Sequence, residues 1–257
     1  MSHHIVEAID LHYVYPDGTV GLNGVSFRIT HGESVALVGE NGAGKSTLLL
    51  HMNGYLSATQ GGIRIGDYLV SSSSLNTVRR SVGMVFQNSD DQLFMPTVFE
   101  DVAFGPMNLG LEKEELEHKV MQALETVGAA HLKNRPPYRL SHGEKRSVAI
   151  ATVLAMSPDI LVMDEPTSSL DPTSRIKLID LLKTFHHTKI IATHDLDMAM
   201  DLCERAIVLH QGRITGDGPT MQLFQDEELL HGSSLEKPLR MQGCPICGLS
   251  ESGKEEV

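Results

Sequence analysis

Three glycines, a lysine and two hydroxyls crowd into nine residues: Gly39, Glu40, Asn41, Gly42, Ala43, Gly44, Lys45, Ser46 and Thr47. The stretch fits Gly-x-x-x-x-Gly-Lys-Ser/Thr through Gly39, Gly44, Lys45 and Ser46. Glycines let the backbone bend so that several N–H groups point at phosphate oxygens. Lys45 supplies positive charge to the β and γ phosphates of a nucleoside triphosphate. Ser46 can give its hydroxyl to Mg²⁺, and the N-terminus of a following helix adds a favourable dipole. The apolar run "SVALVG" precedes the loop and the helical run "GKSTLLLHMN" follows it, which is the context the motif needs. A nucleoside triphosphate and Mg²⁺ are the expected ligands.

A second group of residues could act on that triphosphate. "ILVMDE" is an apolar strand that ends in two carboxylates, Asp164 and Glu165. An acid at a strand end can hold Mg²⁺ through its water shell, and the next acid can orient or deprotonate an attacking water. A later strand, "KIIAT", runs into His194 and Asp195. On spacing alone His194 is a turn residue, a helix cap or a catalytic group, and Asp195 serves equally well as the cap.

The surrounding elements must hold these groups together. "IVEAIDLHYVYPDG" alternates apolar and polar residues and ends in a turn, so we read a strand; "GVSFRI" is a second strand and "GGIRIGDYLV" a hairpin. From about residue 88 to 157 the period becomes helical. Residues 112–128 place Leu116, Val120, Ala123, Leu124 and Val127 on one face, and Gly128 ends the helix. The strands "SVGMVF", "DILVMD", "TKIIAT" and "RAIVLH" have continuous apolar centres, and the last three are separated by helical stretches. That alternation predicts an α/β fold whose mostly parallel sheet is covered on both faces. From about residue 232 the chain turns polar and Gly-rich, which predicts a poorly packed tail.

Composition narrows the function. The 257 residues suit one large domain, and the 41% apolar content suits a real core. The longest apolar runs fall far short of the roughly 18 residues a membrane span needs, and the chain does not open like a signal peptide. We therefore expect a soluble, cytoplasmic protein whose work at any membrane requires another, spanning chain. The net charge of −12 and the lack of a basic run make it a poor nucleic-acid binder. Three cysteines exclude a disulfide framework.

Taken in order, "GENGAGKST", Gln87 after a strand, "LSHGE", "ILVMDE", "SSLD" and "THD" resemble the motif series of ABC transporter ATPases. The resemblance covers roughly residues 4–225. It implies a P-loop ATPase domain over 4–231, with an N-terminal antiparallel β subdomain, an inserted helical subdomain near 89–157, and a tail at 232–257. It implies that Glu165 is the general base, His194 the switch histidine at the γ phosphate, and Gln87 a further ligand of the metal and the reacting water. Ser141 and Gly143 become signature contacts to the partner subunit's ATP, and Asp171 a residue of the dimer interface. Tyr15 becomes the aromatic that stacks on adenine, with Tyr13 competing for that role. Two such domains face head to tail, so a second ATPase subunit is implied, identical or a sibling. The signature departs from the commonest Leu-Ser-Gly-Gly-Gln at His142 and Glu144; we expect Glu144 to face away from the phosphate.

The segment from Gln87 to Phe94, Gln-x-x-Asp-Asp-Gln-x-Phe, followed by "PTVFEDVAFGP", resembles the ATPases of energy-coupling-factor importers, nearest the cobalt and nickel systems. Read alone, Asp90 and Asp91 are solvated loop acids. The resemblance implies a multi-span membrane scaffold, a substrate-binding membrane component, and a position on the cytoplasmic face of the cell membrane. Phe86, Leu93, Phe94 and Val98 could line a groove for the scaffold, or belong to the core. The 13 histidines show no ligand spacing and carry no argument for a metal cargo. A vitamin-importing relative and a soluble iron–sulfur assembly ATPase remain alternative readings. Cys244 and Cys247 form one C-x-x-C pair, short of the four ligands of a structural zinc, and are read as incidental thiols or half of a shared metal site. Cys203 is read as a buried helix residue.

Overall fold

The structure, a computed structural model, describes residues 6–185 and 187–242. The chain opens with β1 (Val6–Val14), β2 (Val20–Ile29), β3 (Ser34–Val38), α1 (Lys45–Met52), β4 (Gln60–Ile65), β5 (Tyr68–Leu69), α2 (Leu75–Ser81) and β6 (Val82–Val85). Three helices follow: α3 (Val98–Asn108), α4 (Lys113–Thr126) and α5 (His142–Leu154). The chain then alternates through β7 (Ile160–Asp164), α6 (Pro172–Lys183), β8 (Thr188–Thr193), α7 (Leu196–Leu202) and β9 (Arg205–His210). It finishes with β10 (Arg213–Pro219), α8 (Thr220–Gln225) and α9 (Glu227–Gly232).

Two sheets form. One has the order β2-β1-β4-β5 and is antiparallel; the other has the order β10-β9-β3-β8-β7-β6 and is parallel except for β10. Alternation explains why the parallel strands read as unbroken apolar runs. Val35 and Leu37 of β3 enter one core with Leu48 and Leu49 of α1, while Ala36 and Val38 enter the other with the helical layer. In β7 the same split sends Ile160 and Val162 to the first core and Leu161 and Met163 to the second. Each such side chain, fully buried, contributes ~1.5–3 kcal/mol relative to exposure.

The helical subdomain follows its sequence pattern. Leu116, Val120, Ala123 and Leu124 of α4 are buried, and Gly128 beyond it takes a φ of 70°, a left-handed turn that suits glycine. Ser141 caps α5, and Thr97 caps α3. Four elements have no counterpart in the sequence reading. In α2 only Val78 is buried, so no apolar period marks it. β10 carries two glycines and a proline, and α8 and α9 are six residues each.

The segment after α9 differs from the expected loose tail. Ser233 is buried and its hydroxyl meets that of Thr215 at 2.9 Å. Leu235 joins the larger core. Arg240 bonds the carboxylates of Asp197 and Asp201 on α7, each at 2.9 Å. Packing therefore continues past residue 232, through the last described residues. Cys244 and Cys247 lie outside the described residues. No helix of the described residues is long and apolar enough to cross a membrane.

Candidate active site

The parallel strands of the larger sheet end on one edge, and every chemically active loop leaves from that edge. β3 pairs Val38 with Thr193 of β8, and β7 pairs Asp164 with Ala192 of β8. This register puts Gly39, Glu165 and His194, each one residue past its strand, side by side. β6 pairs Val85 with Met163, which brings Gln87 to the same edge.

The phosphate loop is shaped by its glycines. A Cβ on Gly39 would lie 2.3 Å from the carbonyl oxygen of Leu209, so no side chain fits there. Gly44 has a φ of 105° at the N-cap of α1 and approaches the carbonyl of Gly21 closely. Lys45 turns inward: its Nζ donates to the carbonyls of Gly39 at 2.7 Å and Glu40 at 3.0 Å. Burial lowers its pKa, opposed by Glu165, Asp164 and Glu40. The ammonium lies 4.0 Å from Glu165 Oε1. Asn41, Gly42 and Ser46 are exposed on the loop surface, and Glu40, Ala43 and Thr47 complete it.

Asp164 is buried, and its Oδ1 has no hydrogen-bond partner. Burial raises its carboxyl pKa above the usual range, against the pull of Ser46, Lys45 and Arg146. A buried carboxylate oxygen left unmet is costly unless a ligand meets it. The Ser46 hydroxyl next to it completes an oxygen donor pair suited to a hard divalent cation.

Glu165 takes a left-handed φ of 44°, which costs roughly 1–2 kcal/mol for a non-glycine residue. The turn aims its carboxylate at the loop after β8. Oε1 accepts from the backbone N–H of His194 at 3.1 Å and from Nδ1 at 2.8 Å, and Oε2 accepts from the Thr193 hydroxyl at 3.2 Å. The His194 side chain remains 60% exposed. Asp195, and not His194, caps α7 by accepting from Met198 N–H. Of the three readings the sequence left open for His194, the cap is removed.

Gln87 is exposed, and its backbone carbonyl is held by Arg146. Arg146 was not singled out from the sequence. Its signal was there: a charge at the head of the buried stripe that continues through Ala149 and Val153 of α5. Tyr15 and Tyr13 are both partly buried and pack edge-on against each other with ring centroids 4.8 Å apart, but their other contacts differ. Tyr13 packs edge-on against His51 at 4.8 Å and joins the core, while Tyr15 sits past the end of β1 with its hydroxyl 2.7 Å from Thr47 Oγ1. Asp171 caps α6, accepting from the N–H groups of Thr173 and Ser174 and from the Ser174 hydroxyl.

Ser141, His142, Gly143 and Glu144 of the signature lie exposed or half-exposed at the head of α5, while Leu140 is buried in the core. Gly143 packs closely on α6: a Cβ there would lie 2.8 Å from Ser174 Oγ and displace that hydroxyl. Glu144 does not turn away from Ser141. Its Oε2 accepts both the Ser141 N–H at 2.8 Å and the Ser141 hydroxyl at 2.9 Å, a reciprocal capping box. The sequence Ser-x-x-Glu carried that signal; comparison with the commoner Gln obscured it.

The expected groove residues also divide. Leu93 and Val98 are buried in the core and Phe86 is partly buried. Phe94 is exposed and stacks edge-on with exposed Phe104 at 5.0 Å, with exposed Met107 on the same helix as Phe104. Asp90 is exposed but paired with Lys145 of α5. Cys203 is buried just past α7, and burial pushes its thiol up to about 12, so it is unreactive.

The profile of the ABC transporter family matches residues 22–168. A putative ABC transporter ATP-binding protein of Geobacter sulfurreducens is 66% identical over 96% of this chain and all of its own length. The energy-coupling factor transporter ATP-binding protein EcfA of Methanocaldococcus jannaschii is 47% identical over 91% of this chain and 86% of its own. Among solved structures, CbiO1 of Clostridium perfringens, part of the transporter complex CbiONQ, superposes with a TM-score of 0.78. It is 38% identical and covers 90% of this chain and 94% of its own.

Proposed function

The chain belongs to the ABC transporter family as an ATP-hydrolysing component, and from that membership we propose that it powers an energy-coupling-factor importer for cobalt or nickel ions. The observation that carries the ATPase reading is the edge where Lys45, Asp164, Glu165 and His194 converge on one glycine loop. The loop N–H groups and Lys45 bind the phosphates. Glu165 holds the attacking water and takes its proton, with His194 orienting the carboxylate and facing the γ phosphate. Asp164, Ser46 and Gln87 would hold Mg²⁺, which spreads the charge that develops on the phosphate oxygens. Tyr15 offers its face to adenine.

Ser141 and Gly143 serve the nucleotide of a second ATPase subunit, with Asp171 at the contact between them. The domain spans residues 4–231, with the helical subdomain near 89–157. Phe94, Phe104 and Met107 form an exposed apolar patch on that subdomain, and they receive a helix of the membrane scaffold on the cytoplasmic face of the membrane. The resemblance of the Gln-x-x-Asp-Asp-Gln-x-Phe segment to cobalt and nickel uptake ATPases favours that cargo, and the likeness to CbiO1 supports a multi-subunit transporter complex.

The test is mild-detergent capture of the tagged chain from its source membranes. A multi-span scaffold together with a metal-binding membrane component supports the reading. A vitamin-binding component reassigns the cargo, and soluble partners alone reassign the chain to an assembly machine.

A further inference from the structure

Arg146 lies one and a half turns into α5, the helix that Ser141 caps. It is 4% exposed, and no carboxylate lies within ion-pair distance of it among the described residues. Its guanidinium instead faces three backbone carbonyls. Nη1 donates to Phe86 at 2.7 Å, and Nη2 donates to Gln87 and, at 3.5 Å, to Glu165. A buried cation held by carbonyls from two other elements is an expensive arrangement, and a planar fork is the side chain that can make it.

The neighbouring bonds show which parts are tied tightly. Gln92 accepts from Phe86 N–H at 3.2 Å and donates to Ala149 of α5 at 2.8 Å and to Thr152 Oγ1 at 2.7 Å. Lys145 pairs with Asp90. Residues 86–92 are thus stitched along α5 at several points. Among the described residues, Arg146 alone reaches from this unit to the carbonyl of Glu165, by a long 3.5 Å contact beside the 3.1 Å bond that this carbonyl accepts from Ser168 N–H; Glu165 is the residue held in the left-handed conformation that aims its carboxylate.

We propose that Arg146 is a positioning residue that couples the signature helix to Gln87 and Glu165. The consequence follows from the two-site arrangement, and the proposal rests on that reading. Ser141 at the head of α5 answers the partner's nucleotide, whereas Gln87 and Glu165 act on this chain's own. A shift of α5 on engaging the partner's phosphate moves the Phe86 and Gln87 carbonyls with it and pulls on the Glu165 carbonyl. One composite site thereby sets the geometry of the other. Arg146 touches neither nucleotide.

The test compares the full chain with Arg146→Lys, which keeps the charge but cannot span the carbonyls. Binding of ATP to the phosphate loop, read with a fluorescent ATP analogue, should stay within about threefold of wild type. The kcat should fall at least tenfold, and ATP-driven dimerisation should persist. A folded Arg146→Lys protein with wild-type kcat overturns the proposal, and so does an equal loss of binding and kcat, which marks a purely structural role. Wild-type protein that binds no ATP would instead overturn the site reading itself. Should Arg146→Lys not fold, hydrogen exchange on the wild type decides. On ATP addition, residues 86–92, 141–147 and the backbone around Glu165 should gain protection together; a change confined to residues 39–47 contradicts the coupling.

Discussion

Glu165 Oε1 accepts from both the backbone N–H and the ring Nδ1 of His194, at 3.1 and 2.8 Å, although the two residues are 29 apart in sequence. The pairing exists because β7 and β8 run parallel in register and end together. It fixes the carboxylate at the mouth of the phosphate loop before any nucleotide arrives. Removing the acid while keeping its shape should therefore separate binding from turnover. Glu165→Gln is expected to bind ATP as wild type does and to lose ~10²–10⁴-fold in kcat, the range for a general base. Steady-state hydrolysis alongside equilibrium ATP binding checks it; a loss under fivefold would remove Glu165 from the base role.

Asp164 predicts a conflict between stability and activity. Its buried Oδ1 is unmet and burial raises its pKa. As pH rises past the ordinary carboxylate value, the unfolded chain releases its proton before the folded chain does. Nucleotide-free stability therefore falls through that window and levels off above the raised folded value. Asp164→Asn removes this fall. At pH 8 the variant should melt higher than wild type, by about 2–4 °C for each kcal/mol recovered, and it should not hydrolyse ATP. Thermal unfolding at pH 4.5 and pH 8 without nucleotide reads the difference; a variant that melts lower at pH 8 contradicts it.

Glu144 joins helix stability to the signature. Gln at this position can still reach the Ser141 N–H, so Glu144→Gln should leave the melting temperature near wild type. Glu144→Ala should cost ~0.5–2 kcal/mol, as cap losses do. The Gln variant also removes the negative charge that now takes the proton of the Ser141 hydroxyl, the group that the proposed function turns to the partner's phosphate. The ATP concentration for half-maximal rate should fall about twofold, a few tenths of a kcal/mol being typical of one exposed charge. An unchanged or higher value would mean that this hydroxyl does not meet a phosphate.

Phe94, Phe104 and Met107 make an exposed apolar cluster away from the phosphate loop. Phe94→Ser should leave basal hydrolysis unchanged and weaken recovery of the chain with its membrane subunits by tenfold or more. Co-purification yield at constant expression measures this. Retained yield would move the docking surface elsewhere.

Much of this arrangement could be read from the residues. The phosphate loop, the acid pair after β7 and the two-sided burial of β3, β7 and β8 follow from local pattern, because each is short and physically constrained. His194 could not be read so, since its role depends on the register of β7 against β8, which no local pattern encodes. Leu93 and Val98 stayed open between groove and core for the same reason: an apolar residue in a loop or first turn looks alike whether it faces a core or a partner. Arg146 and the Arg240 clamp on Asp197 and Asp201 depend on contacts 19 to 60 residues away for the first and 39 to 43 for the second. Short elements such as α2 and α9 bury too few side chains to leave a period.

We propose that hydrolysis at this site drives metal-ion import. The direct measurement is uptake of radiolabelled cobalt and nickel by source cells that lack the chain, complemented with wild type or with Glu165→Gln at equal expression. The account predicts uptake restored by wild type and absent with the variant. Uptake that is unaffected by loss of the chain, or restored equally by Glu165→Gln, would contradict it.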